Sequence, residues 1–333
     1  MTSPLNITVI GIGHLGLIHS KLVKESEYAK LIGVYDIDRE RALNLSRQFD
    51  LSYQSDMNEA ISIADAVIIA APTVDHYEIA LKCIAQGKHC LIEKPITAKY
   101  SEAQELIKKA KERGILVQVG HVERFNPAIS ALKGYEIKPL FIEAHRLSQF
   151  RPRAIDVSVI HDLMIHDIDI VLWFIKSPVT EISANGVAVL TDTIDIANAR
   201  LTFQNGAVAN LTASRISAKG MRKMRVFQNN AYLSIDFSKQ VVEVFRLSDE
   251  SEHSQHSGIP ANMLGSIDAG IKNKNIYFEK PVVEQSNAIA EEQKAFVESI
   301  LENIPIPVAA EDAAEALRIA EIINEQMTHP VLN

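Results

Sequence analysis

Cysteine is scarce in this chain of 333 residues, which has only Cys83 and Cys90. The two form neither a Cys-x-x-Cys pair nor a four-ligand zinc cage, and their scarcity is typical of a reducing compartment. Long apolar runs are also missing, since none reaches the ~20 residues that cross a bilayer. The first residues lack the basic and apolar regions of a signal peptide. We therefore expect a cytoplasmic protein without a membrane partner.

The chain also has no excess of basic charge. Lys and Arg together number 34 against 42 Asp and Glu, which gives a formal net charge of −8. A net negative chain is repelled by a phosphate backbone, so nucleic acid is not an expected partner. Hydrophobic residues make up 47% of the sequence. At this length they predict about two domains, each able to bury its own core.

The first third of the chain alternates short apolar runs with helical patterns. One such helical pattern covers residues 101–113, with Ser101 as the predicted N-cap and Gln104 completing a capping box. Near-continuous apolar strands between helices predict a parallel sheet that is covered on both faces. The predicted strands are residues 7–10, 31–35, 66–71, 89–92 and 115–119.

The pattern changes after about residue 120. A long helix is predicted over residues 156–174, and the Gln-Asn-Gly turn at 204–206 predicts a hairpin between two strands. A loop is predicted at 248–257, and two helices at 284–303 and 311–327. This part of the chain is predicted to be an α+β domain with a large, mostly antiparallel open sheet, so the domains are 1–121 and 122–333. Its predicted strands are residues 187–190, 194–203, 207–214, 232–237 and 241–245.

A glycine-rich turn opens the first helix. Gly11, Gly13 and Gly16 form a G-x-G-x-x-G motif directly after the first strand. Glycines in this context allow backbone N–H groups to approach a pyrophosphate at a helix N-terminus. Asp36 ends the second strand, twenty positions beyond Gly16 (36 − 16), where a carboxylate accepts from ribose hydroxyls and repels a 2′-phosphate. We predict NAD as the cofactor, and NADP as the weaker alternative because Arg39 and Arg41 lie nearby.

Several spaced motifs resemble those of the Gfo/Idh/MocA oxidoreductases, and the resemblance covers nearly the whole chain. It implies a Rossmann NAD-binding domain, a second open-sheet domain, activity on sugars or polyols, and a homodimer or homotetramer. The motifs are Ala-Pro-Thr-Val-Asp-His at 71–76, Gly-Lys-His at 87–89, Glu-Lys-Pro at 93–95, Val119-Gly120 with Arg124-Phe125, and Asp162-x-x-x-His166.

The resemblance also implies which residues hold the cofactor. Besides the glycines, Asp36 and Arg41, the implied cofactor-binding residues are His14, Leu15, Pro72, Thr73, His76, Glu93, Lys94 and Gln118. Lys94 follows the fourth strand, where its ammonium would stabilise the negative charge that develops on a reacting hydroxyl. The same tripeptide recurs as Glu279-Lys280-Pro281, outside the matching context. We interpret that copy as a structural turn with an exposed lysine.

Two segments resemble the branch of the family that acts on nucleotide sugars. They are Gly-His-Val-Glu-Arg-Phe-Asn-Pro at 120–127 and Asp-Val-Ser-Val at 156–159. The branch implies oxidation of UDP-N-acetylglucosamine at C3 to a 3-keto sugar that would feed lipopolysaccharide or lipid A synthesis. A dehydrogenase of a free sugar, polyol or inositol remains the alternative, as does a catalytically silent NAD-binding regulator. The implied substrate-binding residues are His121, Arg124, Asn126, Arg153, Asp162 and His166.

Polar residues recur on the long predicted helix. Asp162, His166, Asp169 and Trp173 have the spacing of one α-helical face. Alcohol oxidation needs a base, and histidine suits that task near neutral pH. We predict Lys94, His166 and Asp162 as the catalytic residues, with His166 as acid/base and Asp162 either orienting it or binding a neighbouring hydroxyl. A buried histidine capped by a carboxylate is the structural alternative.

No metal site is predicted. His161 and His166 are five residues apart, which turns them to different faces of an α-helix. A diphosphate would instead need cations, and a basic cluster offers them. The same cluster is equally expected at the solvated edge of a sheet. Its residues are Lys219, Arg222, Lys223 and Arg225.

Overall fold

The computed structural model describes residues 4–150, 157–249, 262–268 and 273–328. Contacts between residues divide the chain into two compact units. Unit 1 comprises Met1–Phe125 and Ser286–Arg318, and unit 2 comprises Asn126–Gln285 and Ile319–Asn333. This division differs from the predicted boundary after residue 121, because a stretch near the C-terminal end joins unit 1.

The first stretch of unit 1 alternates strands and helices and ends in a short 3-10 helix, Val122–Phe125. Its elements are β1 (Leu5–Ile10), α1 (His14–Glu25), β2 (Ala29–Tyr35), α2 (Arg39–Phe49), α3 (Met57–Ser62), β3 (Ala66–Ile69), α4 (Thr73–Ala85), β4 (His89–Glu93), α5 (Tyr100–Arg113) and β5 (Val117–Gly120).

The rest of the chain begins with a short helix, continues mainly as strands and ends in two helices. A π-helical turn, Ile160–Met164, leads directly into α7. The elements are α6 (Pro127–Ser130), β6 (Phe141–Leu147), α7 (Ile165–Ile175), β7 (Val179–Val187), β8 (Ile196–Phe203), β9 (Val208–Ser214), β10 (Met221–Gln228), β11 (Ala231–Asp236), β12 (Val241–Asp249), β13 (Asn262–Asp268), β14 (Asn273–Glu279), α8 (Ala288–Glu302) and α9 (Ala310–Thr328).

Unit 1 contains a five-stranded parallel sheet in the order β2-β1-β3-β4-β5. All four residues of β3 are buried, as expected for a strand covered on both faces. Helix α8 packs against α1, and its Phe296 and Val297 belong to the same core as β1. Val308 joins the core on the other side of the sheet. These buried side chains explain why residues 286–318 belong to unit 1. The predicted parallel α/β architecture is confirmed.

The predicted start of α5 is wrong by two residues. The helix begins at Tyr100 with Lys99 as N-cap, and Ser101 lies inside the first turn. The backbone N–H of Lys99 donates to Glu102 Oε2 at 3.2 Å, so a carboxylate at the third helical position supplies the reciprocal bond. Glu102, rather than Gln104, therefore marks the start of this helix.

Unit 2 contains a nine-stranded sheet in the order β13-β14-β12-β11-β10-β6-β9-β8-β7. Every neighbouring pair is antiparallel except β6 and β9, which are parallel. Burial alternates along β6 and β8, which is typical of a sheet with one buried face. The predicted large, mostly antiparallel sheet is confirmed. Residues 204–206 connect β8 to β9, as the hairpin motif predicts.

Other predictions for unit 2 need correction. The strand predicted at 187–190 is wrong beyond Val187, which is the last residue of β7. The carboxylate of Asp195 instead binds the backbone N–H groups of Val189, Leu190 and Thr191. Strands β6, β10, β13 and β14 were not predicted, nor was β7 before Val187. The predicted loop at 248–257 is occupied by β12 through Asp249, and residues 250–257 lie outside the described ranges. Within the part of the chain that is described, no helix has the length and apolar character to cross a membrane.

Candidate active site

The glycine turn of unit 1 is packed so tightly that two of its glycines admit no side chain. Gly11 has φ +83°, and a Cβ there would lie 2.6 Å from the backbone nitrogen of Ala71. A Cβ on Gly16 would lie 1.8 Å from the carbonyl oxygen of Gly11. Gly13, in contrast, faces open space with nothing within 4 Å. This arrangement leaves room for a pyrophosphate at the N-terminus of α1.

A cavity of about 420 Å³ lies beside this turn. Five predicted cofactor residues line it: Gly11, Gly13, Asp36, Arg41 and Pro72. Predicted residues His14 and Leu15 are exposed at the start of α1, and Thr73 is the first residue of α4. Sequence analysis missed a row of lining residues on α4 whose i, i+3, i+4, i+7 spacing marks one helical face. They are Asp75, Glu78, Ile79 and Lys82.

Asp36 is almost fully buried, and its carboxylate is held from three directions. Its Oδ2 accepts from the backbone N–H of Ile12 at 2.8 Å. Its Oδ1 accepts from the backbone N–H of Asp38 at 2.9 Å and from the guanidinium of Arg41 at 2.7 Å. The carboxylate is therefore fixed at the rim of the cavity, where the sequence predicts the ribose of a dinucleotide.

Glu93 belongs to a buried polar network in unit 1. Its Oε1 accepts from His19 Nε2 at 2.8 Å, and His19 Nδ1 accepts from the amide of Gln293 at 2.8 Å. Gln293 thereby fixes the tautomer of His19 that donates to Glu93. Although burial raises the pKa of the Glu93 carboxyl, the bond from His19 and the charge of Lys94 hold it below its ordinary value.

Gln118 and Glu292 are further buried polar residues of unit 1. The predicted cofactor residue Gln118 is fully buried, and its amide donates to the backbone carbonyl of Glu292 at 3.0 Å. Glu292 is 1% exposed, and neither of its carboxylate oxygens has a hydrogen-bond partner. Burial, and then the negative charge of Glu93, raise the pKa of Glu292 well above its ordinary value. Gln118 thus connects β5 to α8 through one hydrogen bond, and its contact with the cofactor stays a prediction.

His76 and Lys94 are connected through the backbone. The ring of His76 is buried, with Nδ1 2.9 Å from the carbonyl oxygen of Pro95 and Nε2 2.9 Å from that of Ala71. Burial lowers the pKa of His76 below its ordinary value, although both carbonyls raise it. Both ring nitrogens thus contact loops beside the cavity. Lys94 directly follows β4 and precedes Pro95.

In unit 2, the predicted catalytic residues lie on two kinds of helix. Asp162 lies in the π-helical turn and His166 in the first turn of α7, and both are partly buried. A π turn bonds residue i to i+5, so the one-face spacing predicted for an unbroken α-helix does not hold for Asp162. Asp169 is 1% exposed. The predicted first helical residue, Asp156, lies outside the described residues.

A buried ion pair fixes α7 on the sheet. Arg146 of β6 makes two hydrogen bonds to the carboxylate of Asp167, at 3.0 and 2.9 Å. Both side chains are at most 5% exposed. A bidentate pair of this kind restricts rotation as well as distance. Because Asp167 adjoins His166, the pair also fixes the backbone of the predicted base.

A second cavity, of about 300 Å³, lies entirely within unit 2. It brings Asp162 together with the guanidinium-bearing residues Arg215 and Arg222. Arg215 is buried and interacts with Asp195, 3.8 Å from Nε to Oδ1, whereas Arg222 is exposed. The other lining residues are Leu147, Ser148, Gln149, Leu163, Gly220, Met221 and Ser238.

The remaining residues predicted to bind substrate have mainly structural contacts. Arg124 donates to the backbone carbonyl of Pro307 and to Asp312 at 2.9 Å, which ties together the two stretches of unit 1. Asn126 caps α6 through Ala128 N–H and donates to the carbonyl of Phe237. His121 is 1% exposed, directly after β5. Arg153 lies outside the described residues. Substrate binding by His121, Arg124 and Asn126 stays a prediction.

The comparisons with known proteins agree with this geometry. A model described as "Oxidoreductase family, NAD-binding Rossmann fold" matches residues 5–121, and the "GFO/IDH/MocA C-terminal domain" matches residues 139–234. The UDP-N-acetylglucosamine 3-dehydrogenase of Acidithiobacillus ferrooxidans is 39% identical over 239 residues, which are 71% of this chain and 75% of the relative. The chain belongs to the Gfo/Idh/MocA family of oxidoreductases.

Two further matches describe the range of this family. The solved structure of the same Acidithiobacillus enzyme covers 98% of both chains, with a TM-score of 0.85 and 31% identity. The scyllo-inositol 2-dehydrogenase of Bacillus subtilis is 31% identical over 240 residues, 66% of this chain and 70% of that protein. This Gfo/Idh/MocA protein is therefore an NAD-binding oxidoreductase, and the glycine turn and the carboxylate of Asp36 fit the dinucleotide.

Proposed function

We propose that this oxidoreductase oxidises UDP-N-acetylglucosamine at C3 to the 3-keto sugar, with NAD as the oxidant. The observation that carries the proposal is the cavity of unit 2, in which Asp162 accompanies Arg215 and Arg222. Guanidinium groups suit the diphosphate of a nucleotide sugar, whereas a neutral polyol gives them no charge to bind. The similarity to the Acidithiobacillus enzyme supports the same substrate.

The roles of the catalytic residues follow from their chemistry. His166 accepts the proton of the C3 hydroxyl, and Asp162 orients His166 or binds a neighbouring hydroxyl of the sugar. Lys94 stabilises the negative charge that develops on the oxygen as the proton leaves. Bound NAD would supply the hydride acceptor. The alcohol then loses a proton to His166 and a hydride, which carries two electrons, to the nicotinamide.

The test is turnover of a panel of substrates with NAD. We expect NADH formation with UDP-N-acetylglucosamine, and a product whose mass is lower by two hydrogen atoms. If tightly held NAD hides net turnover, 2-oxoglutarate added as an electron acceptor regenerates it. Lys94→Ala and His166→Asn should each abolish most activity, whereas Lys280→Ala should not. Lys280 is the matched control because it is the exposed lysine of the second Glu-Lys-Pro tripeptide.

The role of Arg222 separates nucleotide sugars from free sugars. Loss of a charge-assisted hydrogen bond costs about 1.5–3 kcal/mol, so Arg222→Ala should raise KM for UDP-N-acetylglucosamine roughly tenfold or more. Arg225→Ala is the control, because Arg225 lies on the same strand and pairs with Glu143 instead. An equal effect of both variants would argue against the diphosphate contact.

A polyol dehydrogenase is the second candidate, supported by the similarity to the scyllo-inositol 2-dehydrogenase. Turnover of inositols but not UDP-sugars would establish it. NAD binding without turnover of any substrate in the panel would instead support a silent regulatory protein. The cytoplasmic location, the homodimer or homotetramer and the lipid A pathway stay predictions.

A further inference from the structure

His76 contacts two loops of unit 1 with the two nitrogens of one ring. The ring is 1% exposed. Its Nε2 lies 2.9 Å from the carbonyl oxygen of Ala71, and its Nδ1 lies 2.9 Å from the carbonyl oxygen of Pro95. The two nitrogens lie on different edges of the imidazole, so the contacts are geometrically separate. One buried side chain thus spans the segments that follow β3 and β4.

The two segments have different neighbours. Ala71 and Pro72 line the cavity beside the glycine turn, and Gly11 approaches the backbone of Ala71 closely. Pro95 is bonded to Lys94, the residue that follows β4. Strands β3 and β4 are hydrogen-bonded neighbours up to Ile69 and Ile92. Beyond those residues, the ring of His76 contacts both segments, at Ala71 and at Pro95.

Carbonyl oxygens accept hydrogen bonds, so the ring bonds to each of them only through an N–H group. A neutral imidazole has one N–H, so it donates to one carbonyl at a time, whereas an imidazolium donates to both. Both contacts are hydrogen bonds at the same time only in the imidazolium, which the two carbonyls favour and burial opposes. A side chain with a single donor at one of these positions would therefore retain one connection and lose the other.

We propose that His76 is a positioning residue with two separable roles. Its Nε2 edge fixes the Ala71–Pro72 segment for NAD binding, and its Nδ1 edge fixes the turn that presents Lys94 for catalysis. The second role rests on the proposed function of Lys94, and the first rests only on NAD binding. His76 touches neither substrate nor cofactor in this assignment.

Two amide substitutions separate the roles. The side-chain nitrogen of asparagine takes the place of Nδ1, and that of glutamine takes the place of Nε2. His76→Asn should keep the bond to Pro95 and lose the bond to Ala71, which raises the Kd for NAD roughly fivefold to tenfold while kcat stays within about twofold. His76→Gln should do the reverse, with a similar fall in kcat and little change in Kd.

The readouts are chosen so that each role is tested alone. Calorimetric titration gives the Kd for NAD without turnover, and steady-state kinetics with UDP-N-acetylglucosamine gives kcat and KM. The rate at which Lys94 is acetylated by a lysine-reactive reagent, followed by peptide mass spectrometry, reports the Lys94 turn without any substrate. We expect that rate to change in His76→Gln and to stay at the wild-type value in His76→Asn.

His89→Gln is the matched control, since His89 accepts from Leu116 N–H at the opposite end of β4. It should leave all three readouts unchanged. Equal effects of the Asn and Gln variants on Kd, kcat and acetylation would overturn the two-role assignment, as would no effect of either. If wild-type protein oxidises none of the sugars, the proposed function fails, while Kd and acetylation still decide the inference about His76.

Discussion

Among single residues, Asp36 has the clearest connection to the choice of dinucleotide. Its carboxylate is fixed by Ile12 N–H, Asp38 N–H and Arg41, at the rim of the first cavity. A 2′-phosphate in that place would meet a negative charge that cannot move away. Arg41 is half-exposed and is held by Asp36. In this pair, the carboxylate of Asp36 would repel the 2′-phosphate of NADP, and the guanidinium of Arg41 is the group that could bind it.

Removal of the carboxylate should reverse this preference. In Asp36→Ser, Arg41 loses its partner and becomes available to a 2′-phosphate. We expect the Kd for NAD to rise because the ribose hydroxyls lose an acceptor, and the Kd for NADP to fall because like-charge repulsion is relieved. Each change should be at least about tenfold, which corresponds to about 1.4 kcal/mol. Titration with both dinucleotides measures this. Glu40→Ser, which removes a neighbouring charge on α2, should leave the preference as it is, and an unchanged NADP affinity in Asp36→Ser would contradict the assignment.

Glu292 is a second residue whose environment has a measurable consequence. It is buried beside Glu93 without a hydrogen-bond partner, and its pKa is raised well above the ordinary value. A carboxyl whose pKa is raised by folding binds its proton more tightly in the native state. Stability from this group is therefore present below the unfolded-state pKa of about 4.3 and is lost as the pH rises through the folded-state pKa.

Glu292→Gln should remove that pH dependence. We expect the free energy of unfolding of the wild type to fall relative to the variant by about 1.4 kcal/mol for each pH unit while the group titrates. Urea unfolding at several pH values between about 5 and 7 measures the difference. Glu291→Gln, at the exposed neighbouring position, should retain the wild-type slope. Parallel curves of unfolding free energy against pH for the wild type and Glu292→Gln would show that folding does not raise the pKa of Glu292.

Among secondary-structure elements, the connection between β7 and β8 shows where sequence patterns fail. Residues 187–190 are apolar and predict a strand, yet the backbone N–H groups of Val189, Leu190 and the following Thr191 donate to Asp195. Although burial raises the pKa of Asp195, these bonds lower it to about 2. A single buried carboxylate thus replaces the strand ladder, and no local pattern reveals that partner.

Other elements show what the sequence does reveal. The apolar strands of unit 1 and the glycine turn could be predicted, because each of them is specified by a pattern of residues that are adjacent in sequence. The two Glu-Lys-Pro tripeptides differ in context, as predicted: Glu93 bonds to His19, whereas Glu279 bonds to Tyr135 and Lys280 is exposed. The bonds from Arg124 to Asp312 and from Asn126 to Phe237 join residues more than a hundred positions apart, so sequence analysis could not predict them.

Asp195 should be a major source of stability for unit 2. Its carboxylate also accepts from the Thr191 hydroxyl and lies beside Arg215, which donates to the carbonyl of Val157. Removing one partner of a buried charged network costs about 3–5 kcal/mol, so Asp195→Ala should lower the free energy of unfolding by that amount. Urea unfolding near neutral pH measures it. Asp192→Ala, at an exposed site in the same loop, should change stability by less than about 0.5 kcal/mol.

Across the whole chain, the cofactor-binding unit is discontinuous. The family match to the first domain ends at residue 121, yet unit 1 also contains Ser286–Arg318. From that stretch, Phe296 and Val297 fill the core on one side of the parallel sheet. Val308 and Leu317 fill the core on the other side. A sheet that needs both of its faces covered therefore depends on residues from the far end of the chain.

A fragment that stops after β5 should consequently fold poorly. Removing the second stretch takes away these four buried side chains, each of which contributes about 1.5–3 kcal/mol when buried. Their combined contribution is comparable to the whole free energy of unfolding of an ordinary domain, which is about 5–15 kcal/mol. We expect residues 1–121 alone to lack a cooperative thermal transition and to bind NAD weakly or not at all. A second protein, residues 1–125 joined to 286–318 by a flexible Gly/Ser linker, should regain both properties. Circular dichroism and calorimetric NAD titration measure them, and a fragment 1–121 as stable as the joined protein would show that the second stretch is dispensable for the dinucleotide fold.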